Sequence, residues 1–260
     1  MTHKQFRDAT WFFFDLDDTL HEFRKASSAA VDAVLHLIIQ QQQEQPQKEA
    51  QDQHQSLTIP SLKAAYTTIL KTSTSTAFTD GKTSHTYRRS RFTTLLHHFS
   101  ITPTEPQITQ LLTTYEAVLT AHLAPKPSAL ALLATLQKLG KRVAIVTEGP
   151  QDSQERTVAA LGLVPYFERL ITTNALGVAK TAGLWERAMR EPGVGKGEVV
   201  VVGDSWERDV VPAWEAGMRV VWFDEGAGDE VREVDVGEGG RKVVVVNGME
   251  KLRRIVLGEV

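Results

Sequence analysis

The chain contains no cysteine. Disulfides, thiolate nucleophiles and cysteine-ligated metal centres are therefore excluded, and a small cross-linked secreted scaffold is ruled against. Positive charge is not in excess either. The 29 Lys and Arg residues stand against 32 Asp and Glu, a formal net charge of −3, so there is no basic footprint for nucleic acid. No run approaches the roughly 18 apolar residues of a membrane span. The short apolar run before Asp15 is too brief for the core of a signal peptide. The expectation is a cytoplasmic protein that binds neither nucleic acid nor membrane. Histidine is missing from the second half, since all eight lie at or before His122. Chemistry located there must rest on carboxylates, hydroxyls, Lys or Arg.

What is present is an ordinary globular composition, 260 residues with 42% hydrophobic, enough for one large domain or two smaller ones. After residue 123 short apolar runs alternate with helical patterns. Strands are expected in "KRVAIVTEG" (141–149), "ERLITTN" (168–174), "EVVVVGDS" (198–205), "RVVWFD" and "KVVVVNG". Helices are expected over "LLATLQKLG" (132–140), "QDSQERTVAALG", "KTAGLWERAMRE" (180–191) and 209–217. Continuous apolar strands separated by helices imply a parallel sheet covered on both faces. "WFFFD" resembles these strands but lies far upstream.

The intervening residues 22–123 read as helices: "SSAAVDAVLHLII", "SLKAAYTTILK", "YRRSRFTTLLHHF" and "EPQITQLLTTYEAVLTAHL". The fold class is accordingly α/β, a doubly wound, Rossmann-like parallel sheet (1–21 and 124–260) with an inserted α-helical domain (22–123). The glutamine-rich 40–55 reads as low complexity and flexible, "TSTST" (72–76) as an exposed loop and "APKP" (124–127) as a hinge.

Ligands of such sheets bind beyond the carboxyl ends of the strands. There the chain places Asp15 and Asp17 after "WFFF", Thr147 and Glu148 after "VAIV", and Asp204 and Asp209 after "EVVVVG". Asp15 and Asp17 are two apart, so an extended backbone points them the same way. An oxygen-rich set of this kind suits a hard cation, most naturally Mg²⁺, which keeps some water and bridges to phosphate.

Taken singly, each residue has a plainer reading. Asp17 or Asp18 can cap a turn, Thr147 can bond its own backbone, and Lys180 can be a solvated lysine opening a helix. "GDS" can be a glycine turn with a helix cap, and Asp209 can complement a helix dipole. Their order is what matters. "DLDDT", Thr147, Lys180 and "GDSWERD" resemble the four motifs of the haloacid dehalogenase superfamily, and residues 22–123 resemble that family's helical cap.

The resemblance covers nearly the whole chain, and "GDSWERDVVPAWEAGMRVVWF" is its most specific stretch. It implies that Asp15 is a nucleophile forming an aspartyl-phosphate. Asp17 would be general acid and base, with its main-chain carbonyl also on Mg²⁺. Thr147 and Lys180 would hold the transferring phosphoryl group, with Glu148 beside them. Asp204 would bind the metal, and Asp209 would support its waters or Lys180. Three departures stand out: Glu148 and Arg208 occupy positions where the family favours Asn, and Thr181 follows Lys180 where Pro is common.

The expected activity is a Mg²⁺-dependent phosphatase acting on a small phosphorylated metabolite. The alternatives are a sugar-phosphate mutase of the same family and a non-catalytic protein retaining the fold. Dehalogenation is disfavoured, because attack on carbon needs no proton donor and Asp17 supplies one. Arg88, Arg89 and Arg91 are candidate substrate-anion ligands, although three Arg on one helix more commonly form a solvated face. "PGVGKGE" fails as a P-loop, since Arg190 replaces its first Gly and Gly197 its Ser/Thr. "GAGDE" has Val231 at the third Gly position of a dinucleotide fingerprint, and His97–His98 diverge as helix neighbours.

Overall fold

Four consecutive apolar aromatics are buried on both sides only in the interior of a covered sheet, and the computed structural model places them there. It describes residues 3–44, 57–190, 194–237 and 240–259. A short helix α1 (His3–Asp8) leads into β1 (Trp11–Phe14), whose four residues are all buried. After a helical excursion come α6 (Ala129–Lys138), β2 (Arg142–Thr147), α7 (Gln151–Ala160), β3 (Arg169–Thr172), α8 (Thr173–Leu176) and α9 (Leu184–Arg190). Then follow β4 (Val199–Gly203), α10 (Val211–Glu215), β5 (Arg219–Phe223), β6 (Arg232–Asp235), β7 (Lys242–Val246) and α11 (Met249–Leu257).

The seven strands are ordered β3-β2-β1-β4-β5-β7-β6, all parallel except the edge pair β6–β7. β1 registers with Arg142–Ile145 on one side and Val199–Val202 on the other. The ends of β1, β2 and β4 are therefore level with one another. Trp11, Phe13, Val199 and Val201 join one apolar cluster with Leu184, Trp185 and Ala213. The alternate residues Phe12, Phe14, Ile145, Val200 and Val202 are equally buried, so neither face is open to water.

The chain divides into two compact units. The sheet unit holds Met1–Glu22, Ala77–Gly81 and Ala124–Val260; the second holds Phe23–Thr76 and Lys82–Leu123. The second unit is built from α2 (Phe23–Glu44), α3 (Ile59–Ser73), α4 (Ser84–His98) and α5 (Glu105–Ala121). Thr58, Thr83 and Thr104 cap the last three by accepting a backbone N–H from the first turn. Phe92 is fully buried in its core, with ring centroids 6.1 Å from Tyr66 and 6.0 Å from Tyr115.

Several sequence expectations need correction. Lys180 does not open the helix expected over 180–191. Gly183, at φ +102°, separates a 3₁₀ turn (Lys180–Ala182) from α9. The helix expected over 209–217 is a π turn (Trp206–Val210) running into a short α10. Residues 40–44 of the glutamine-rich stretch belong to α2; the remainder lies outside the described residues. Thr72 and Ser73 of "TSTST" are still helical. Strand β6 and helices α1 and α11 were not anticipated.

The three arginines of α4 are not a solvated face, because Arg88 and Arg91 are buried. Arg88 lies over the Tyr115 ring at 4.7 Å, and Arg91 Nε donates to Ser73 Oγ at 2.7 Å. His97 and His98 are exposed. "APKP" is tied to the sheet unit rather than loose. His21 bridges to Pro125, Glu22 N–H donates to Ala124 O at 3.0 Å, and the buried Lys126 ammonium meets Glu22 and Glu225 at 3.1 and 2.7 Å. No helix among the described residues is long and apolar enough to cross a membrane.

Phe92→Ala removes a ring flanked by two others and leaves a cavity. Denaturant unfolding should show a loss of about 3–5 kcal/mol. A loss below about 1 kcal/mol would mean that the second unit's core closes over the gap.

Candidate active site

The level ends of β1, β2 and β4 set three backbone turns side by side, and carboxylates converge on them. Asp15 follows β1 directly; its N–H donates to Val202 O at 2.9 Å and its side chain is buried. The chain then turns through Asp18, which adopts φ 63°, a left-handed conformation that Asp tolerates better than most residues. On the β4 side, Asp204 N–H donates to Thr19 Oγ1 at 3.0 Å, and the Trp222 indole N–H donates to Asp204 O at the same distance. Asp209 lies at 1% exposure, its Oδ2 accepting Ser205 N–H at 3.0 Å. Gly203 makes that possible: a Cβ there would stand 2.5 Å from Asp209 Cβ and Cγ.

Lys180 binds these pieces together. Its ammonium, 3% exposed, donates to Asp209 Oδ1 at 2.6 Å and makes a short contact to Asp15 Oδ1, with the Trp185 ring 5.4 Å away. Burial opposes the lysine's charge, but Asp15 and Asp209 outweigh it and hold the ammonium above its ordinary pKa. Burial, reinforced by Asp15 and opposed by Lys180, pushes Asp209 up to about 7. Asp209, although in the first turn of the π helix, is thus buried and paired with Lys180 as well.

Asp15, Asp204 and Asp209 each offer an oxygen within 4.8 Å of the others. Three carboxylates against one ammonium leave an excess of negative charge in a largely dry site, the condition a hard divalent cation relieves. The donor set fits Mg²⁺. Asp17, expected to offer its main-chain carbonyl to the metal, directs its carboxylate to other partners. Its Oδ1 lies 2.8 Å from His21 Nε2, and its Oδ2 accepts from Gln154 Nε2 at 3.3 Å.

Thr147 ends β2 fully buried, and among the described residues its hydroxyl has no hydrogen-bond partner. A buried unpaired hydroxyl costs free energy and calls for a ligand. Glu148 Oε1 accepts the Lys180 backbone N–H at 3.3 Å, while Oε2 faces Arg208 Nη1 at 3.4 Å.

Sequence reasoning missed His21, Gln154 and Thr19. His21 is fully buried, yet as a lone histidine it carried no motif. Gln154 is brought in by Gly149, where a Cβ would stand 2.3 Å from its Nε2.

Comparison with known proteins shows which family the chain resembles. The chain is 24% identical over 246 residues to a glyceraldehyde 3-phosphate phosphatase of Methanothermobacter thermautotrophicus, covering 94% of this chain and 98% of that one. A glyceraldehyde 3-phosphate phosphatase of Methanocaldococcus jannaschii is 27% identical over 150 residues, covering 57% of this chain and 64%, just under two thirds, of its own. Among solved structures, the magnesium-bound putative HAD-hydrolase YfnB of Bacillus subtilis shares the fold. Its TM-score is 0.66 at 21% identity, covering 96% of this chain and 99% of that one. The family model described as haloacid dehalogenase-like hydrolase matches residues 10–217, and the chain belongs to that family of hydrolases.

Proposed function

We propose that the protein is a Mg²⁺-dependent phosphatase that hydrolyses small phosphate monoesters through an aspartyl-phosphate. The observation that carries this reading is the convergence of Asp15, Asp204 and Asp209 around the buried Lys180 ammonium. The names of the two phosphatase relatives support it.

The roles follow from position. Lys180 occupies Asp15 Oδ1, which leaves Oδ2 to attack phosphorus and form the acyl phosphate as the ester oxygen departs. Asp17, partly exposed and oriented by His21 and Gln154, donates a proton to that oxygen. It then removes a proton from the water that cleaves the acyl phosphate, which regenerates Asp15. Lys180 and the unpaired Thr147 hydroxyl hold the phosphoryl oxygens. Asp15, Asp204 and Asp209, with the Asp17 carbonyl, would hold Mg²⁺, which when bound offsets charge on the phosphoryl group. The second unit supplies substrate selection in this reading, as an inserted cap.

Activity toward p-nitrophenyl phosphate should vanish in EDTA and return with Mg²⁺, with Ca²⁺ a poor substitute because its looser coordination misplaces the nucleophile. Undiminished turnover in EDTA would sink the site as drawn.

The two N-terminal aspartates should fail differently. Asp15→Asn should form no phosphoenzyme with any substrate. Asp17→Asn should lose about 10²–10⁴-fold on alkyl phosphates, whose leaving alkoxide needs a proton, and much less in the first step on an aryl phosphate. Rapid-quench mass spectrometry of that variant should find phosphate trapped on the Asp15 peptide. Equal losses on both substrates with nothing trapped would remove Asp17 from acid–base chemistry.

A further inference from the structure

Two departures from the family pattern, Glu148 and Arg208, are 60 residues apart in sequence and meet across the strand ends. Glu148 directly follows Thr147, and its side chain is only 14% exposed. A poorly solvated carboxylate beside a phosphoryl-binding hydroxyl would repel a phosphate dianion. Arg208 offsets that charge from the other side. Its backbone is fixed: the N–H donates to Ser205 Oγ at 3.3 Å, and its carbonyl accepts the Trp185 indole N–H at 3.0 Å.

The guanidinium is far from saturated. Of its five N–H donors, Nε reaches Ser205 Oγ at 3.3 Å and Nη1 reaches Glu148 Oε2 at 3.4 Å, and these are its side-chain hydrogen bonds among the described residues. The side chain is 52% exposed, so the guanidinium is accessible from solvent.

We propose that Arg208 binds the phosphoryl group of the substrate, with Glu148 as the positioning residue that holds its guanidinium over the Thr147 end of the site. This inference rests on the phosphatase reading. A planar fork matches phosphate oxygens in a bidentate way that an ammonium does not. The pair is charge-compensated when empty, and the donors that Glu148 and Ser205 leave unused are the ones offered to substrate phosphate.

The test is a double-mutant cycle on the full-length protein with Mg²⁺, read by p-nitrophenyl phosphate kinetics and by calorimetric binding of inorganic phosphate. Arg208→Ala should raise KM and weaken phosphate binding by about 10- to 100-fold, the range for losing a hydrogen bond to a charged group, with a much smaller change in kcat. Glu148→Gln alone should have a smaller effect of the same sign. In the Arg208→Ala background, Glu148→Gln should recover part of the lost affinity, because it removes an uncompensated charge. Arg208→Lys, which keeps charge without the fork, should fall between wild type and alanine. Circular dichroism should show all variants folded.

Phosphate affinity within twofold of wild type in Arg208→Ala, or strictly additive effects around the cycle, would overturn the proposal while leaving the phosphatase reading intact. A wild-type protein that neither hydrolyses the ester nor binds phosphate would instead sink that reading, and this inference with it.

Discussion

One buried ammonium organises the sheet unit of the molecule. Lys180 reaches between Asp15 and Asp209, residues supplied by the ends of β1 and β4, from a turn that follows β3 and α8. Charges this dry are costly unless paired, and removing one member leaves the others exposed to that cost. The turns therefore cannot drift independently. Other features follow from it: Gly203 must lack a side chain so that Asp209 can turn inward, and Gly183 must break the helix so that Lys180 stays on a separate turn. The Trp185 and Trp222 indoles tie the β4 loop down through its carbonyls at Arg208 and Asp204. The site is a small polar lattice fitted into a sheet that is otherwise apolar on both faces.

The parallel sheet was legible because buried parallel strands are written as unbroken apolar runs, and "WFFF", "VAIV" and "VVVV" leave little alternative. The strand-end residues Asp15, Thr147, Asp204 and Asp209 were legible for a related reason, since position after such a run fixes where they emerge. β6 was not legible. Its "REVD" alternates charge with a half-exposed valine on an edge, a pattern shared with many loops. Neither was the π turn at Trp206–Val210, because one extra residue in a helical turn leaves no mark on composition.

The surroundings of Asp17 show a different limit. His21 and Gln154 come from separate turns, and only three-dimensional closure puts an imidazole and an amide on the two oxygens of one carboxylate. The arginines of α4 mislead in the opposite direction. Charge on a helix normally means solvent, but here Tyr115 lies against Arg88 and Ser73 receives Arg91, so two guanidinium groups become part of a packed interior. Charge pattern alone cannot distinguish the two outcomes, because what decides is the neighbour on the next helix.

The central place of β1 also bears on the order in which the chain can be assembled. The strand ends at Phe14, but its neighbours begin only at Arg142 and Val199. During synthesis the four aromatic residues leave the ribosome well before anything exists to cover them. The whole helical unit, complete by Leu123, is made in the interval. That unit can fold while "WFFF" waits as an unpaired, strongly apolar strand, the kind of segment that associates with other chains when left exposed. The architecture that buries this strand most deeply in the finished protein is the one that leaves it uncovered longest in the nascent chain.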